Sequence, residues 1–141
     1  MFIRNFNKEV YKLKSSEAVA EMMFTLLQKI RGYQKQRERM WCIGLDNGNN
    51  VQYIEIASVG TVDQAVIYPR EVIRTAIVKG TTRIIIVHNH PSGSINPSTQ
   101  DIEITKKLKS GADTLDVELL DHLIINNKDK QYYSFRENNL I

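Results

Sequence analysis

The unbroken β-branched run Ile84-Ile85-Ile86-Val87 constrains this chain more than any other stretch. Successive strand residues point to opposite faces of a sheet, so a half-exposed strand alternates apolar with polar side chains. A run with no alternation needs apolar cover on both faces, as in sheets with helices on either side. The predicted strand Arg83–His88 ends where the residue types change abruptly, at His88.

The rest of the chain supplies that cover. Ser15 and Ser16 are N-cap candidates for a helix whose apolar positions are Val19, Met22, Met23, Leu26, Leu27 and Ile30, with Gly32 as its expected end. Met40–Leu45 reads as a strand and Val51–Val59 as its return, joined by the turn Asp46-Asn47-Gly48-Asn49-Asn50. Ala65–Tyr68 reads as a further short strand. Pro69 opens a helix with an apolar face of Val72, Ile73, Ala76 and Ile77, closed by Gly80. After the Ile84 run come a loop over Asn89–Pro97 and a helix from Ser98 to about Lys109. Two strands, Leu115–Ile125 and Gln131–Phe135, flank a turn over Asn126–Lys130. This order predicts an α/β (α+β) fold, a mixed sheet flanked by helices. Residues 1–36 are expected to form an N-terminal helical segment of the same domain, and residues 37–141 its core.

At 141 residues, with 42% hydrophobic and 25% charged residues, the chain can bury one core without disulfides. Its single cysteine, Cys42, has no internal partner; it alternates with apolar neighbours and reads as buried and inert. One cysteine and no apolar leader in Met1–Tyr11 point to a reducing, cytoplasmic setting. No apolar run approaches the roughly 20 residues of a membrane-spanning helix, so no membrane partner is expected. The net charge of +3 is uneven. Residues 1–40 carry nine Lys/Arg against four Asp/Glu, and the remainder ten against twelve. A basic segment can contact nucleic acid, or be a solvated helix face; without interleaved aromatics the expected nucleic-acid binding is weak.

The segment His88-Asn89-His90-Pro91-Ser92-Gly93-Ser94-Ile95-Asn96-Pro97-Ser98-Thr99-Gln100-Asp101 carries the chemistry. Strand residues i and i+2 share a face, so His88 and His90 can reach one point. Two imidazoles and a carboxylate from the first turn of the next helix suit a catalytic zinc, which keeps three protein ligands and a water. Each residue also has a structural reading. Ser98-x-x-Asp101 is a capping box, and the histidines could be a polar strand end. Although the letters HNH name a nuclease motif, such nucleases space their histidines widely, and these are adjacent.

The His-x-His-Pro pattern, followed by Ser-x-x-Asp with Asp101 eleven positions after His90, resembles the JAMM signature of MPN-type metalloproteases. The fuller string HNHPSG…PSxxDIEITKKL, with YPREV at 68–72 and LLDHLIINN at 119–127, resembles the RadC-type branch, over about residues 37 to 136. The resemblance implies a JAB/MPN (cytidine-deaminase-like) architecture. It implies one zinc per chain on His88, His90 and Asp101, and a zinc-activated water attacking an amide carbonyl of a protein or peptide substrate. It places the general acid/base at Glu38 and the oxyanion donor at Ser98, a donor of this kind contributing about 3 kcal/mol. On residue type alone Glu55 and Glu71 compete with Glu38, which would otherwise read as one charge in a charged run. His122, beside Asp121, matches a recurrent pair of the branch; inside a predicted strand it reads as a structural histidine.

Longer RadC-type chains carry an N-terminal helix-hairpin-helix region linked to DNA. About 36 residues stand before the Arg37-Glu38-Arg39 stretch here, and no Gly-containing hairpin pattern appears among them. That departure weakens a DNA-repair role and leaves the catalytic motif untouched; the second functional expectation is a DNA-repair-associated accessory protein, binding DNA or a DNA-bound partner, with a non-catalytic metal site.

Overall fold

The computed structural model describes residues 12–60 and 67–141. Within them the order is α1 (Ser16–Gln28), a 3₁₀ turn (Gly32–Gln36), β1 (Arg39–Leu45), β2 (Val51–Val59), α2 (Pro69–Lys79), β3 (Arg83–His90), α3 (Thr99–Thr114), β4 (Glu118–Asn126) and β5 (Tyr132–Ser134). The five strands form one mixed sheet, ordered β2-β1-β3-β4-β5. β3 and β4 are parallel, with α3 as their crossover; the other neighbours are antiparallel. This is the α+β architecture expected of a JAB/MPN domain.

Period-two alternation divides the core. Ile85 and Val87 face α1, where they join Trp41, Ile43, Leu45, Leu123 and Ile125 under Val19, Met23 and Leu27. Ile84 and Ile86 face the other way and join Met40, Cys42 and Leu119 under Val72, Ile73, Ala76 and Leu108 of α2 and α3. The all-apolar run is thus covered on both faces, as its composition demands. Cys42 is wholly buried.

Most element boundaries follow local chemistry. Ser15 Oγ accepts from Ala18 N at 3.1 Å and caps α1. Pro69 starts α2, and Gly80 ends it in the left-handed region at φ 68°. Several ends differ from the sequence reading. α1 stops at Gln28, short of Gly32, because its last turn tightens into i→i+3 bonds from Lys29 N to Leu26 O and from Ile30 N to Leu27 O. Gly32, at φ 66°, instead opens the 3₁₀ turn. α3 runs to Thr114, five residues past Lys109, because Leu108 and Ala112 continue its buried stripe. Leu115 caps that helix and is exposed, so β4 begins only at Glu118. β3 extends to His90 because its pairing with β4 continues through Asn89 and His90. Of the strand expected at Ala65–Tyr68, Ala65 and Val66 lie outside the described residues, as do residues 1–11; Ile67 and Tyr68 are not in a strand.

No helix of the described residues is long and apolar enough to cross a membrane.

Candidate metal centre

The site forms where the carboxyl end of β3 meets the amino end of α3, the usual place for a site in a β-α-β unit. Antiparallel β1 begins at the same edge, with Met40 paired to His88, so Glu38 arrives from the opposite chain direction. Topology therefore brings together residues 50 and more positions apart.

His88 is wholly buried, Asp101 nearly so, and the His90 side chain is 16% exposed. His88 Nε2 lies 2.9 Å from His90 Nε2 and 3.3 Å from Asp101 Oδ1; His90 Nε2 lies 3.3 Å from Asp101 Oδ2. In tetrahedral zinc with bonds of about 2.0–2.1 Å, ligand atoms stand about 3.3 Å apart. The spacing fits. One ligand atom each from Glu38, His88, His90 and Asp101 lies within 4.8 Å of the others.

Each side chain is held. His90 Nδ1 lies 2.9 Å from Ser94 O; a carbonyl only accepts, so Nδ1 carries the proton and Nε2 presents a lone pair. Asp101 sits in the first turn of α3, where the helix dipole favours an anion. The capping box is also present: Ser98 N donates to Asp101 Oδ2 at 2.8 Å, and Asp101 N donates to Ser98 Oγ at 3.0 Å. The cap uses a lone pair of Ser98 and leaves its hydroxyl proton to spend. Cap and ligand geometries thus coexist at Ser98 and Asp101.

Charge follows position. Burial pushes His88 below the usual imidazole value, against the pull of Asp101. At His90 burial acts the same way, but the hydrogen bond and charge of Asp101 outweigh it and the net shift is upward. Burial would raise Asp101, yet the two imidazoles and Ser98 N hold it far below the ordinary carboxylate range.

Glu38 is half-buried, and its segment is clamped by the residue between the two histidines. Asn89 points to the face opposite His88 and His90. Its Oδ1 accepts from Arg39 N at 2.7 Å and its Nδ2 donates to Arg37 O at 3.1 Å, gripping the chain on both sides of Glu38. Glu38 O accepts from Gly60 N at 2.9 Å. Glu55 instead accepts from Thr75 Oγ1 at 3.2 Å, and Glu71 pairs on the surface with Arg70 and Arg74. Among the described residues neither joins the group around His88.

Three neighbours of the site were not singled out as part of it from sequence. Asn89 follows from the same alternation that pairs the histidines. Thr105, four residues after Asp101 on one helix face, was also legible in principle. His122 had no local signal, because its approach depends on β4 lying beside β3. It is buried, stacks on Phe135 at 4.5 Å, and brings Nε2 within 2.7 Å of His88 Nδ1. Burial first, and then His88, push His122 well below the usual imidazole value, so the ring is neutral.

Comparison with known proteins agrees with this picture. The RadC-like JAB domain family model matches residues 13–140. A UPF0758 protein of Finegoldia magna is 45% identical over 92 residues, 65% of this chain and 41% of that protein. One from Chlorobaculum tepidum is 37% identical over 140 residues, 99% of this chain and 59% of that one. One from Methanosarcina mazei is 32% identical over 130 residues, 92% of this chain and 54% of that one. The chain thus spans about half the length of these relatives. With its His-x-His strand end, its capped aspartate and this match over nearly all described residues, the chain belongs to the RadC-like JAB domain family.

Proposed function

We propose that this domain is a zinc-dependent metallohydrolase, a peptidase or isopeptidase acting on an amide bond of a protein or peptide, working in the cytoplasm. The observation that supports it is the convergence of two imidazole nitrogens and a carboxylate at 2.9–3.3 Å, with a second carboxylate, Glu38, in the same group.

His88, His90 and Asp101 would hold one zinc, which supplies the Lewis acidity that makes water nucleophilic near neutral pH. The Glu38 carboxylate takes the proton of the attacking water and returns it to the leaving amine. Ser98 Oγ–H donates to the oxyanion that develops on the carbonyl. Asn89 keeps Glu38 at the rim by gripping Arg37 O and Arg39 N.

The test separates base from ligands. Purified protein is expected to hold about one zinc per chain. Once a peptide or isopeptide library has supplied a substrate, Glu38→Gln should keep the zinc and lose ~10²–10⁴-fold in turnover. His88→Ala should lose the zinc as well. Full turnover in Glu38→Gln would remove Glu38 from the mechanism; no uptake of zinc by the wild type would remove the reading altogether.

The alternative proposal, a DNA-associated accessory role, draws on the basic balance of residues 1–40 alone. The metallohydrolase reading expects at most weak DNA binding with a shallow salt dependence, because few phosphates would be neutralised. Nanomolar DNA binding at physiological salt would promote the alternative.

A further inference from the structure

We infer that Thr105 and His122 form an orientation relay that sets which nitrogen of His88 carries its proton, and so aim the His88 lone pair at the metal position. The inference rests on the proposed metal site and adds two positioning residues to it.

The direction of the relay follows from donor counting. Thr105 Oγ1 lies 2.6 Å from Asp101 O, a carbonyl four residues back on α3 that can only accept. The single hydroxyl proton is therefore committed to that carbonyl. Thr105 Oγ1 also lies 2.6 Å from His122 Nδ1, and toward that nitrogen it can only accept. His122 must then carry its proton on Nδ1 and present a lone pair at Nε2. That lone pair stands 2.7 Å from His88 Nδ1, which must in turn be the donor. With a metal in place His88 Nε2 is then left as the lone pair that faces it; without one, the same Nε2 faces the Asp101 carboxylate at 3.3 Å and His90 Nε2 at 2.9 Å, which draw a proton back to it.

Each link follows from placing the Thr105 proton on the Asp101 carbonyl, so the chain starts at the backbone of one of the three proposed ligands. All three side chains are buried: Thr105 is 2% exposed, His122 2% and His88 0%. Water cannot easily substitute for a missing link. His90 needs no such relay, because Ser94 O fixes its tautomer directly. The two histidines thus reach one orientation by two routes, a backbone carbonyl at the rim and a side-chain relay in the interior. Outer partners that orient ligating histidines typically contribute 10–100-fold to metal affinity.

The relay is tested with Thr105→Val, which keeps the shape, removes the acceptor and leaves the His122 ring in place. In the zinc-loaded protein, ¹⁵N spectra of the ring nitrogens should show a protonated Nδ1 on both His88 and His122. Thr105→Val should shift His122 toward Nε2–H, which makes His88 Nδ1 an acceptor and costs His88 its metal-facing lone pair. Competition against a chelator should show zinc affinity 10–100-fold weaker in Thr105→Val and restored in Thr105→Ser. A purely structural threonine would change stability without moving the tautomers. Nε2–H on His122 in the wild type, or unchanged zinc affinity in a folded Thr105→Val, would overturn the relay. If the wild type takes up no zinc, the metallohydrolase reading fails, while the His122 tautomer, read in the metal-free protein, still decides the Thr105–His122 link.

Discussion

Asp101 and Asp121 are both buried, on opposite faces of the sheet, and their surroundings differ in kind. Asp121 faces α1 and is saturated with donors: Ser16 Oγ at 2.8 Å and Ser134 Oγ at 2.6 Å on one oxygen, His122 N at 2.7 Å and Arg136 N at 3.0 Å on the other. It ties α1, β4, β5 and the chain after β5 together. Asp101 receives Ser98 N and otherwise faces the ring nitrogens of His88 and His90. A buried carboxylate needs compensation from donors or from a cation. Asp121 has its compensation within the fold, whereas Asp101, with one backbone donor and two imidazoles, belongs to a group that could hold an ion. Burial alone distinguishes neither from the other; the count and sign of the neighbours do.

The contrast predicts opposite responses to the same substitution. Asp121→Ala strands four donors, of which Ser134 Oγ and His122 N are buried, and the metal-free protein should lose about 3–5 kcal/mol in a denaturant titration. Little change there would mean that the four bonds are replaceable and the contrast is false. Asp101→Ala should weaken zinc more than 100-fold, beyond what an outer partner gives. Its metal-free stability should fall by only about 1 kcal/mol, for the lost half of the cap. A larger fall would make Asp101 as structural as Asp121.

Two smaller effects sharpen the comparison. Ser134→Ala removes one donor of the four, leaving Asp121 partly served, and should cost about 1–2 kcal/mol with no effect on zinc binding. Cys42 is the control, a wholly buried ionisable group with the Tyr53 hydroxyl at 3.9 Å from its sulfur. Burial pushes its thiol up to about 12. In the unfolded chain it ionises near 8.5. Between those values the native state keeps the proton that the unfolded state releases, so stability falls as pH rises through that window. Cys42→Ala should flatten that fall, and at pH 7 native Cys42 should resist alkylation.

Legibility from sequence followed the range of the interactions. β2 and the start of α2 were read to the residue, since a turn and a proline set them locally. The ends of α1 and α3 were missed by several residues, because a tightening last turn stops α1 before Gly32, and the buried stripe of Leu108 and Ala112 carries α3 past Lys109. In the site, the convergence of His88, His90 and Asp101 was readable from strand alternation and a cap signature. Glu38 was not, since its charged neighbours hide it; the family resemblance singled it out, and the β1–β3 pairing explains its place. His122 stayed invisible as a site neighbour because nothing near it in sequence reveals which strand lies alongside.

The proposed ligand set His88, His90 and Asp101 lies in one stretch of fourteen residues, whereas Glu38 comes from a separate part of the chain. In evolutionary terms the two are inherited as separable traits. A single base change in the codon of Glu38, giving Gln or Lys, abolishes the proposed base and leaves the ion-holding segment untouched. Descendants of such a domain can lose the proposed hydrolysis in one step while keeping the segment that would hold the ion, and recovery needs only that one codon to revert.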